Sequence, residues 1–267
     1  MDMSVTEVQS PLNIVDCLRG DRSLRPRADF LSAAGIRAQL EDGIYELLGA
    51  RVIAEPLVLR SSTLADEQFS TNINSSPMGQ LRGILVSHVL RLLSIGFEVT
   101  DPYAEALSAW KAEDTGSQLF SHLARLEPDE RARLQSDVNA HSVALRRALG
   151  VVPPRWLPRT AVRQSQRLAG GNVILRDVID LMVGTTTSAE ASVALFDVTT
   201  SPLSEAAERT MRFHALVQTL RTSCVPLRTC TFSTATGELW TRDVDYEMLS
   251  RSADEVLHAL GTLVAQL

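Results

Sequence analysis

Apolar residues recur at helical spacing from Ala28 to Leu48, where Phe30, Leu31, Ala34, Ile36, Leu40, Ile44 and Leu47 predict one amphipathic helix. Leu81 to Leu93 gives a second, with Leu81, Leu85, Val89, Leu92 and Leu93 on one face. Residues 101–149 read as charged helices. Asp101-Pro102 starts one and Glu127-Pro128-Asp129-Glu130 another, because proline and acids suit a first helical turn. Beyond Val151-Val152-Pro153-Pro154 the pattern turns to strands: Arg159–Leu168, Val173–Val183 and Ala191–Val198, with Gly170-Gly171 as the hairpin signal between the first two. Ser204–Thr222 reads as a helix, Leu227–Ser233 and Leu239–Val244 as strands around a turn at Gly237, and Asp245–Gln266 as a closing helix. Ala50–Arg60 reads as extended chain, limited by Pro56, and Thr71–Gly79 as polar turn. This order predicts one α/β domain on a central mixed sheet.

Composition narrows the class. The 267 residues are 45% hydrophobic, enough for a sizeable core. No apolar run approaches the ~18 residues of a membrane span, and the N-terminus lacks a basic region followed by an apolar stretch. Cys17, Cys224 and Cys230 are an odd set without metal-ligand spacing, which points to a reduced, cytoplasmic chain, and Cys224 and Cys230 read as packed thiols. Trp110, Trp156 and Trp240 read as core or sheet-rim residues.

The net charge of −6 argues against indiscriminate nucleic-acid binding, but the charge is unevenly spread. Val138 to Arg176 contains no Asp or Glu, and it carries Arg146, Arg147, Arg155, Arg159, Arg163, Arg167 and Arg176. Such a run is either a solvated face or a phosphate track, since guanidinium binds phosphate bidentately.

The chemistry-bearing positions are Asp180 and Asp197, near the ends of two neighbouring apolar strands. Carboxylates presented together by adjacent strands suit a hard divalent cation. Asp177 falls on the opposite strand parity from Asp180 and is directed to the other face. There is no Gly-x-Ser-x-Gly elbow and no dinucleotide fingerprint around Gly170-Gly171.

Four segments in order resemble the RecB-like branch of the PD-(D/E)XK nucleases. Arg82-Gly83-Ile84-Leu85-Val86-Ser87-His88 is similar to the motif carrying a metal-ligating His. Asp180-Leu181 is similar to the strand end with the first catalytic Asp. Asp197-Val198-Thr199-Thr200-Ser201 occupies the Asp/Glu-x-Lys-x-Gly position, and Met211 to Leu216 the helix that follows. Thr199 stands for the Lys, Ser201 for the Gly, His214 for a Tyr, and Arg91 for an acid.

The resemblance implies a restriction-endonuclease-like α/β domain over residues 1–267. Residues 1–76 form a helix and strand lead-in and 77–245 the nuclease-like core. A helical insertion occupies 100–150, and 246–267 form a C-terminal helix. It implies catalytic positions Asp180, Asp197 and Thr199, and Mg²⁺ or Mn²⁺ held by His88, Asp180 and Asp197. The acid-free arginine segment adds expected DNA contacts from Arg155, Arg159 and Arg163, and the helix after the motif adds Arg209, Arg212 and His214, with Arg209 or Arg212 able to replace the missing lysine charge. The expected function is a catalytically degenerate, DNA-binding or scaffolding protein of DNA processing, repair or defence, with a protein partner such as a helicase or ATPase. A live Mg²⁺-dependent nuclease with a rearranged cation and a protein-interaction module that never meets DNA are the alternatives.

Overall fold

The computed structural model describes residues 13–19, 29–49, 51, 54–65, 76–113, 118–185 and 193–266. In chain order these form α1 (Ile14–Arg19), α2 (Phe30–Leu48), β1 (Leu57–Leu59), α3 (Ser61–Ala65), α4 (Pro77–Ser94), α5 (Pro102–Glu113), α6 (Gln118–Ala124) and α7 (Pro128–Leu149). Then follow β2 (Arg159–Leu168), β3 (Val173–Val183), β4 (Ala194–Thr199), α8 (Glu205–Thr222), β5 (Arg228–Ser233), β6 (Leu239–Asp243) and α9 (Tyr246–Ala265).

The helix starts follow capping chemistry. Asp29 accepts from the Ser32 N–H at 2.8 Å, Ser76 from the Gly79 N–H at 3.1 Å, and Asp245 from the Met248 N–H at 2.8 Å. At α7, Glu127 and Glu130 form a reciprocal capping box that spans Pro128 at the first helical position. The expected Ala28–Leu48 helix begins at Phe30, with Asp29 as its cap; Ala28 and the Thr71–Ser75 part of the polar stretch lie outside the described residues. Pro77 and Met78, expected in that turn, already belong to α4.

The sheet is six-stranded and mixed. β3 is its axis. Along one edge it pairs antiparallel with all of β2, from Arg159↔Met182 to Leu168↔Val173. Its other edge is shared. β1 pairs parallel with Val173–Leu175, and β4 pairs antiparallel with Leu181–Val183. β5 continues parallel to β4, and β6 closes antiparallel to β5. Residues Arg176 to Asp180 therefore have no ladder partner on that second edge among the described residues.

Helices cover both faces. One core joins α2, α8 and α9 to Val173, Leu175, Ile179, Met182 and Leu195. The other joins α1, α4, α5 and α7 to Leu181, Val183, Ala194, Phe196 and Phe232. The helices expected between residues 100 and 150 thus form, with α4, the second face's cover. Alternation along β3 slips at Asp180, because Ile179 packs in the first core and Leu181 in the second. Opposite it, the pairing skips Ala161, which takes a left-handed conformation with φ 47°. No helix among the described residues is long and apolar enough to cross a membrane.

Candidate functional site

The site lies where β3 and β4 separate. Their ladder ends at Leu181↔Phe196. Past that point side chains replace main-chain pairing: the Asp180 N–H donates to Asp197 Oδ1 at 3.1 Å, and the Val198 N–H donates to Asp180 Oδ2 at 3.0 Å. Asp180 also engages Ser87 of α4. Burial and then the negative charge of Asp197 push the Asp180 carboxyl up to about 7. Asp180 and Asp197 thus sit on adjacent strands, reaching toward α4 and α8 respectively.

His214 of α8 occupies the other side of the gap and is fully buried, at 1% exposure. Its Nε2 meets Asp197 Oδ2 at 2.5 Å, and its Nδ1 pairs with Asp177 Oδ2. Asp177 Oδ1 accepts from the Ser61 hydroxyl at 3.0 Å and from the Val178 N–H at 3.0 Å. Burial alone favours neutral imidazole, but the charges of Asp197 and Asp177 outweigh it and hold His214 well above its ordinary pKa. The result is a buried carboxylate–imidazolium–carboxylate row. With both ring nitrogens taken, His214 has no lone pair to offer a metal and no free position for general-base work.

Asp177 does take the parity opposite to Asp180, as its spacing predicts. It nevertheless joins the cluster, because Asp197 faces the same α8 side. The sequence carried a signal for this: Asp177 interrupts the apolar parity Val173, Leu175, Ile179, and His214 stands between the apolar Phe213 and Ala215-Leu216. Ser61 and Ser87 had no comparable signal.

The other expected site residues fall elsewhere. His88 is buried on α4, with a ring pushed down to about 4 by burial and by Arg91, and no contact joins it to Asp180 or Asp197. Thr199 accepts the Ser201 N–H at 3.2 Å and so fastens the turn after β4. It lines a small cleft of about 280 Å³ with Asp197, Ser201 and Thr210. Arg212 is buried and points to α9, where Glu255 holds it at 2.6 Å. Arg209 donates to the Leu64 carbonyl at 2.8 Å and lies within 3.9 Å of Glu255. Neither guanidinium faces Asp197. Arg155, Arg159 and Arg163 are exposed, and Arg159 donates to the Gly184 carbonyl at 2.9 Å. Among the described residues, no group of three or more His, Cys, Asp or Glu is arranged to hold a metal ion.

These features define an α/β protein with a mixed sheet between helical layers and a buried Asp–His–Asp row at the parting of two strands. No family profile matches the chain, and no curated protein matches it. Among solved structures, one described as the crystal structure of SSO0001 aligns over 83% of this chain and 84% of that chain, at 11% identity and a TM-score of 0.32. A likeness that low carries no argument about fold or function.

Proposed function

We propose that the protein is a restriction-endonuclease-like, DNA-binding member of the PD-(D/E)XK type in which the acidic pair has become structural. One observation carries this reading: Asp197, at the metal-carboxylate position of the resemblance, is occupied on both oxygens. Oδ1 accepts the Asp180 N–H and Oδ2 meets His214. Each oxygen keeps a second lone pair, but the imidazolium on Oδ2 sets a positive charge where a divalent ion would sit. Residues that would approach such an ion are Asp180 and Asp197. His88 does not join them, and Thr199 brings a hydroxyl without charge.

Purified protein with Mg²⁺ or Mn²⁺ is expected to leave single- and double-stranded DNA uncut. Thr199→Lys alone should not restore cutting, because His214 still occupies Asp197. Metal-dependent cleavage by the wild type, abolished in Asp197→Ala, would establish the live-nuclease alternative instead.

The DNA-binding half of the reading rests on β2. Arg163 and Arg167 project from its exposed face, and neither has an acidic partner among the described residues. Binding should weaken with salt, since neutralised phosphates release counterions. Charge reversal at Arg163 and Arg167 should lower the slope of log affinity against log salt by about two, one per lost phosphate contact. Anisotropy titrations of a labelled duplex at several salt concentrations measure this. Unchanged affinity and slope would favour the protein-interaction module.

A further inference from the structure

The unpaired edge of β3 opens into a cleft of about 710 Å³. Arg60, Ser61 and Ser62 line it from the β1–α3 junction, Arg163 and Ser165 from β2, and Arg176 from β3. Register brings the three arginines together. Leu59 pairs with Leu175, so Arg60 follows beside Arg176; Ser165 pairs with Arg176, and Arg163 lies two residues along the same strand. None of the three makes an ion pair among the described residues, whereas Arg82, Arg91, Arg209, Arg212, Arg228, Arg242 and Arg251 all do. Asp177 also lines the cleft, but it shares the charge of His214 with Asp197, and its Oδ1 is taken by Ser61 and the Val178 N–H. The cleft therefore presents three guanidiniums without an ion-pair partner among the described residues, and serine hydroxyls, to whatever enters.

We propose that this cleft receives the terminal phosphate of a nucleic-acid strand. Clustered like charges repel one another, and a bound anion relieves that repulsion. A terminal phosphomonoester carries about −1.5 to −2 charge and three acceptor oxygens. An internal phosphodiester carries one charge and two free oxygens, a poorer match to three guanidiniums. The volume falls within the ~300–1,000 Å³ typical of small-molecule sites, so a terminal nucleotide fits. The strand to which the phosphate belongs rests on the DNA-binding reading above; the phosphate site itself rests on the cleft alone.

The test compares a labelled single-stranded oligonucleotide bearing a 5′-phosphate, its 3′-phosphate isomer and its twin with hydroxyls at both ends, by anisotropy at fixed salt. The Arg60→Ala/Arg176→Ala variant is run beside the wild type, with circular dichroism to verify its fold. A charged hydrogen bond is worth about 1.5–3 kcal/mol, or roughly ten- to a hundredfold in affinity. At least a tenfold preference for one phosphate-ended strand is expected in the wild type and should vanish in the variant. Oligonucleotide binding with no end preference overturns the cleft proposal and leaves the DNA-binding reading standing. Competable binding of dAMP or inorganic phosphate, lost in the variant and without affinity for any oligonucleotide, keeps the phosphate cleft and overturns its nucleic-acid occupant. Binding of none of these probes overturns both.

Discussion

His214→Ala is expected to destabilise the protein by about 3–5 kcal/mol, the cost of removing one partner from a buried ion pair. Asp177 is 8% exposed, so its carboxylate has little water to turn to once the imidazolium is gone. For a protein of this size, each kcal/mol lowers the melting temperature by about 2–4 °C, so the fall should be about 6–20 °C. The loss should be fully present below about pH 6.5 and shrink as pH climbs through the raised pKa of His214, where the wild type gives up its own imidazolium. Adding Asp177→Asn and Asp197→Asn to the alanine variant removes the unpaired charges and should recover part of the loss. Thermal unfolding of the three proteins decides it. A shift of only a degree or two for His214→Ala would mean that the row contributes little, and would remove the structural role assigned to it.

The second large effect concerns Asp180 and alkaline pH. Its folded carboxyl titrates near 7 and its ordinary value is 3.8. Below about pH 4 both folded and unfolded chains hold the proton, and Asp180 costs nothing. Between about 4 and 7 the unfolded chain releases the proton while the folded chain keeps it, so stability falls as pH rises. Above 7 the full cost persists. At about 1.4 kcal/mol per pH unit, the rise from 3.8 to about 7 sets an upper bound of about 4 kcal/mol. His214 acts in the same sense. Its folded pKa is raised, so its contribution is complete below its unfolded value of 6.5 and is lost as pH climbs through the folded one.

Stability should therefore be greater at pH 5 than at pH 8. Asp180→Asn cannot ionise, yet its side-chain oxygen still accepts from the Val198 N–H. It should raise stability at pH 8 and change little at pH 4. Urea titrations of both proteins at these pH values test the sign. Parallel pH profiles for wild type and variant would show that Asp180 carries no such burden.

The two effects share an origin with the proposed loss of catalysis. A metal-binding acidic pair keeps its repulsion in check by holding a cation. Here the positive charge comes from His214 instead, and the peptide N–H groups of Asp180 and Val198 take up further carboxylate oxygens. The rearranged cation foreseen at Arg209 or Arg212 is placed on α9's side of α8, where Glu255 holds both. His214 comes two residues after Arg212 and five after Arg209, so at about a hundred degrees per residue it turns away from both and toward the sheet.

The sequence alone determined the main strands and longer helices and their order, but not the short helices α1, α3 and α6. β2 and β3 run from Arg159 to Leu168 and from Val173 to Val183 as their alternation predicts, and α8 and α9 stop within a residue or two of the expected limits. These signals are local: period-2 and period-3.6 burial, capping side chains and the Gly170-Gly171 turn act within a few residues. Sequence spacing also placed Asp180 and Asp197 on neighbouring strands. Only the tertiary structure decided what those carboxylates touch. The union of Asp177, Asp197 and His214 depends on where α8 crosses the sheet, and the Arg60–Arg163–Arg176 cleft on β1 and β4 dividing one edge of β3 between them. Both join residues more than a dozen positions apart, through sheet pairing and helix packing that no local period encodes.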